Sequence, residues 1–126
     1  MDRSMARRVR WSRVLAWVAF AVACAVNLYA LYMPSLPGGA TALPGADKVV
    51  HLVSFAAVMA TGVLAGLRPV VLGAALAVHA VGSELLQGML VAQRTADPWD
   101  ATADMLGIAL GWLSVRATRR VVRRGR

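Results

Sequence analysis

The chain has 126 residues, enough for one domain, and 59% of them are apolar while only 16% are charged. Average chains are about 45–50% apolar and about 25% charged, which argues against a water-soluble fold of this size. The net charge of +8 does not point to nucleic acid either: no recognition module accompanies it, and the arginines crowd the two ends of an apolar chain.

Five of them (Arg3, Arg7, Arg8, Arg10, Arg13) lie in a basic segment over residues 1–13. The first predicted span follows over about residues 14–33 and is uncharged. A span needs about 20 mostly apolar residues, and signal-peptide cores run only about 7–15, so this stretch is predicted to stay as a membrane helix. It carries Asn27, suited to a bond across helices, and Cys24, the only cysteine, which excludes an internal disulfide and a multi-cysteine zinc site. Pro34, Pro37, Gly38, Gly39, Pro44 and Gly45 then mark a loop.

The second span is predicted over 47–67, Arg68-Pro69 makes a short turn, and the third covers 70–90. A loop over about 91–97 leads to the fourth span, 98–115, and a basic tail over 116–126 holds the last six arginines. The fold class is therefore all-α: an integral membrane bundle of four transmembrane helices, residues 14–115, with both termini inside. With the termini and Arg68 in the cytoplasm, 12 basic residues lie inside and two, Lys48 and Arg94, outside, as the positive-inside rule asks. Gly62 with Gly66, and Gly107 with Gly111, are small-xxx-small pairs that let helices approach closely in lipid.

The candidate site residues share one depth under this topology. Asp47, Lys48 and His51 begin the second span; Glu84 and Gln87 end the third; Arg94 and Asp97 lie in or beside the second outer loop; Asp100 and Asp104 open the fourth. Asp47 and His51, Glu84 and Gln87, and Asp100 and Asp104 are each three or four residues apart and so share helix faces. Asp104 continues into the Gly107–Gly111 face, which places the carboxylates on the packing side. Such charges cost about 2.5–3.5 kcal/mol each on insertion scales and turn toward a bundle or cavity, so one outward polar pocket is predicted, with Glu84 near Arg94 or His51.

Structural readings stand beside the functional ones. Asp97-Pro98-x-Asp100 reads as N-cap, N1 and N3 of a helix, Asp47 as a second cap, Lys48 as a side chain snorkelling to headgroups, and Glu84 with Arg94 as structural glue. His79, at mid-span, reads as a neutral ring bonded to a neighbouring helix. Asp100 and Asp104 repel, and the expected remedy is a proton, a cation such as Lys48 or Arg94, or a bound metal. If Asp104 is merely tolerated, Asp104→Asn should raise stability.

The order Asp47-Lys48-x-x-His51, Glu84-x-x-Gln87, then Arg94-x-x-Asp97-x-x-Asp100-x-x-x-Asp104-x-x-Gly107-x-x-x-Gly111 resembles the VanZ-like family over about residues 47–111. That family usually has asparagine where this chain has Asp104. The resemblance implies a multi-pass protein of the bacterial cytoplasmic membrane, linked through its namesake to teicoplanin resistance. The expected partners are the lipid bilayer and a lipid-linked envelope precursor or a glycopeptide, held by Lys48, Arg94 and the carboxylates. The competing readings are an intramembrane acid–base or metal-assisted enzyme using His51, Glu84, Asp100 and Asp104, a small ion-coupled transporter, and a structural subunit. No metal signature such as H-E-x-x-H is present, and no cofactor is named by the sequence.

Overall fold

The computed structural model describes residues 3–32, 45–90 and 97–125, with side chains from Arg10 onward. These form four helices and no strand among the described residues: α1 (Arg3–Tyr32), α2 (Ala46–Ala65), α3 (Pro69–Leu90) and α4 (Pro98–Arg124). Arg94, Gly39 and Ala92 lie outside the described residues.

The helix ends follow local chemistry. Gly66, at φ 103°, ends α2 in the left-handed conformation. Its N–H reaches the Val63 carbonyl and the Leu67 N–H reaches that of Gly62, the two bonds of a Schellman cap. Pro69 then opens α3, where its missing N–H costs nothing. Asp97 caps α4, its Oδ1 accepting from the Trp99 N–H at 2.9 Å, with Pro98 next. Asp47 does not cap α2; Gly45 occupies that position without a side-chain bond. At the basic ends α1 and α4 run past the predicted spans, because arginine is a good helix former and no proline or glycine interrupts either end before Gly125.

α2 and α4 form the closest pair. They run parallel: Lys48 meets Asp100, His51 meets Asp104 and Val63 meets Arg119, at sequence offsets of 52–56. Gly107 and Gly111 make this approach possible. A Cβ at Gly107 would strike the Leu52 carbonyl oxygen, and one at Gly111 that of Ala56. Gly62 likewise seats Leu72 and Phe20, at 2.5 Å and 2.9 Å from an added Cβ. Gly66 departs from the predicted packing role: an added Cβ there meets nothing within 4 Å, and its backbone conformation is what requires glycine.

Phe55, Val58, Met59, Val63, Leu72 and Leu76 build the buried core. The outside is apolar as well, with Val70 84% and Met89 80% exposed. Exposure of that kind over much of a surface marks a lipid or partner environment. The α1 segment Arg10–Tyr32, α2 and α3 are each long and apolar enough to cross a membrane. α4, predicted as a fourth span, falls outside that group; its first two turns carry Asp100 and Asp104.

Candidate functional site

At one end of the bundle the start of α2, the end of α3 and the start of α4 with its cap bring seven ionisable side chains together. Lys48 is the hub. Its Nζ donates to Asp97 Oδ2 at 2.9 Å, Asp100 Oδ1 at 3.1 Å and Asp47 Oδ2 at 3.1 Å. The lysine is thus committed to three carboxylates rather than to headgroups. Asp97 lies ahead of the α4 segment, and the Lys48 ammonium beside it, with the Trp99 N–H, holds its carboxyl below the usual carboxylate range. Asp47 stands exposed at the rim, off the face that its spacing to His51 predicts; the inward pair on α2 is Lys48 with His51, three residues apart.

One turn deeper, His51 Nδ1 lies 2.9 Å from Asp104 Oδ1. Both are buried, Asp104 completely at 0% exposure. A carboxylate accepts only, so the ring hydrogen sits on Nδ1 and, in the neutral ring, Nε2 presents its lone pair. That Nε2 is 3.9 Å from Asp100 Oδ2. The remedy for the neighbouring aspartates is therefore split: Lys48 serves Asp100, and His51 serves Asp104.

Glu84 enters from α3. Its Oε2 accepts from the Asp97 N–H at 2.9 Å, and its ligand atom lies within 4.8 Å of those of His51 and Asp100. The expected approach of Glu84 to His51 is thus present at bridging distance, while the Arg94 alternative lies outside the described residues. Glu84 Oε1 and Asp104 Oδ2 are buried and have no hydrogen-bond partner. Buried polar atoms are nearly always paired, so two such atoms in one cluster suit a ligand.

Gln87 does not join the cluster. It is buried, but its Nε2 donates to the Leu31 carbonyl in the last turn of α1, at 2.9 Å. Below the cluster a second polar chain ties three helices. His79 Nε2 lies 3.2 Å from Asn27 Oδ1, Asn27 Nδ2 donates to Ser54 Oγ at 3.0 Å, and Ser54 Oγ donates to the His51 carbonyl at 3.0 Å. His79 also stacks on Phe55, ring centres 5.6 Å apart. Here the cross-helix roles predicted for Asn27 and His79 are realised, and Ser54, which sequence reasoning passed over, is their link to His51.

Among the described residues acids outnumber bases at this end: Asp47, Glu84, Asp97, Asp100 and Asp104 stand with Lys48 and His51. Two trios, His51–Glu84–Asp100 and Asp47–Asp97–Asp100, have ligand atoms close enough for one metal ion. In the second trio Lys48 already bonds all three carboxylates. Chemically, the arrangement accepts hydrogen bonds from amines and hydroxyls, or binds a cation. Comparison of this chain with family models, with curated proteins and with solved structures finds no match.

Proposed function

We propose that this chain is a VanZ-like cell-envelope protein of the bacterial cytoplasmic membrane. In this reading it crosses the membrane four times with both termini inside, and its outward pocket recognises a polar or amphiphilic envelope ligand. One observation carries the reading: ionisable side chains from three helices converge at one end, with buried carboxylate oxygens left unpaired.

Two further features support the topology. α4 exposes Leu106, Leu110 and Leu113 while Asp100 and Asp104 are buried, so its lipid side is apolar although its average hydropathy is lowered by the two acids. The 12-to-2 basic asymmetry that this topology gives supports an outward pocket. There the acid-rich pocket suits a ligand that presents amines or hydroxyls, as a lipid-linked wall precursor or a glycopeptide does. Lys48, whose three donors go to Asp47, Asp97 and Asp100, orders these carboxylates for such a ligand. A metal-assisted enzyme is the second reading, favoured by the His51–Glu84–Asp100 trio.

The test is a lipid-resolved mass spectrum of the chain purified from bacterial membranes in mild detergent. A lipid-linked envelope intermediate retained in defined stoichiometry is expected. Bulk phospholipid alone, unchanged when precursor or glycopeptide is added, contradicts the recognition reading.

A further inference from the structure

We propose that His51, Glu84 and Asp100 form a divalent-cation site of the Mn²⁺ or Zn²⁺ class, with Asp104, Lys48 and the Asp97 N–H orienting its ligands. Each of the three side chains has one polar atom held by a neighbour. His51 Nδ1 bonds Asp104 at 2.9 Å, Asp100 Oδ1 bonds Lys48 at 3.1 Å, and Glu84 Oε2 bonds the Asp97 N–H at 2.9 Å. That division is the one metal ligands show: the other ring N–H of a ligating histidine goes to a carboxylate, and ligating carboxylates are themselves hydrogen-bonded.

One of the atoms left over is without a partner, and two others stand at bridging distance. Glu84 Oε1 has no hydrogen-bond partner, on a side chain only 6% exposed. His51 Nε2 and Asp100 Oδ2 are 3.9 Å apart. That is too far for a hydrogen bond, but within the reach of two bonds of about 2.0–2.2 Å to a shared ion. One ligand atom from each residue lies within 4.8 Å of the others.

Charge points the same way. Glu84, Asp100 and Asp104 are all buried, and Lys48, the one ammonium among them, is shared with Asp97 and Asp47. Buried carboxylates need pairing or a metal. A divalent ion neutralises Glu84 and Asp100 and polarises the His51 ring toward Asp104. Carboxylate oxygens suit manganese and an imidazole suits zinc, so the mixed set fits either ion.

The inference rests on the same pocket as the proposed function, but not on that pocket's ligand. A chain that binds metal and no envelope lipid overturns recognition and leaves the cation site standing; lipid binding without metal does the reverse. The probe is Mn²⁺ added to the full chain in detergent after EDTA stripping. One tightly held Mn²⁺ per chain is expected, read as loss of the free-ion paramagnetic resonance signal, together with a higher unfolding midpoint and competition by Zn²⁺. Pulsed resonance on the wild-type complex should show coupling to an imidazole nitrogen. Glu84→Gln, close in shape, should abolish stoichiometric binding, and Asp104→Asn should weaken it about 10–100-fold. Sub-stoichiometric binding, no nitrogen coupling, or full binding by a helical, monodisperse Glu84→Gln protein would overturn the assignment.

Discussion

Replacing Asp104 with alanine is expected to destabilise the bundle by about 1–3 kcal/mol, the range for leaving a buried polar group without its partner, with the void left by the side chain adding to it. Asp104 is fully buried, and its Oδ1 is the partner of His51 Nδ1. Alanine removes the acceptor, leaves the ring N–H without a bond, and opens a void between α2 and α4. The effect is not confined to one pair. The His51 carbonyl accepts from Ser54, which in turn accepts from Asn27, so a displaced α2 backbone at His51 also loosens the contact with α1. Asp104→Asn is milder. It keeps shape and an acceptor but exchanges a charged hydrogen bond for a neutral one, a loss of about 1 kcal/mol. The sign is opposite to that expected from repulsion with Asp100 alone, because the His51 N–H already bonds the carboxylate. Reversible unfolding in detergent measures both. An Asp104→Ala protein within about 1 kcal/mol of wild type would mean that the His51–Asp104 contact does not hold the bundle.

The second large effect belongs to Gly107. An added Cβ lands on the Leu52 carbonyl oxygen, and Leu52 C and Phe55 Cβ both lie 3.1 Å from it. Backbone cannot swing aside as a flexible side chain does, so the helices must separate. Overpacking of this kind costs typically about 1–3 kcal/mol and occasionally more. Gly107→Ala is expected at the upper end, and Gly107→Ala with Gly111→Ala beyond it, since Gly111 meets Ala56 in the same way one turn on. Both substitutions should also pull Asp104 from His51 and weaken whatever the pocket binds. Gly82→Ala is the contrast: an added Cβ there meets nothing within 4 Å, and alanine favours helix by about 0.8–1.0 kcal/mol, so it should be neutral or stabilising. Equal losses at Gly82 and Gly107 would show that the substitutions report helix propensity and not the α2–α4 approach.

Much of the architecture is legible in the sequence because its signals are local. Proline and glycine clusters bound the helices, Asp97-Pro98 announces the α4 cap, and arginines mark the ends. The convergence of Lys48, His51, Glu84, Asp97, Asp100 and Asp104 is also readable, since all are displaced to one end of their spans. The partner assignments are not. Spacing places Asp47 and His51 on one face, but the rotation of α2 is set by Gly107 and Gly111 docking on Leu52 and Ala56. That rotation turns Lys48 and His51 inward and leaves Asp47 outside. The parallel α2–α4 register is a long-range fact with no local mark, so the His51–Asp104 pair is hidden. Gln87 fits the helix face of Glu84, yet its Nε2 donates to the Leu31 carbonyl at the end of α1. Gly66 looks like half of a packing pair, but a cap and a packing glycine share one sequence signature.

Thiol labelling in intact cells tests whether this polar end faces outward. Gly39→Cys and Ala92→Cys, each in a Cys24→Ala background, sit in the two connections at the pocket end of the chain. Arg68→Cys sits in the turn at the opposite end, between α2 and α3. With the pocket outward, an impermeant maleimide labels positions 39 and 92 in intact cells, and position 68 only after permeabilisation. Labelling of position 68 in intact cells, with 39 and 92 protected, would turn the pocket toward the cytoplasm and overturn this orientation.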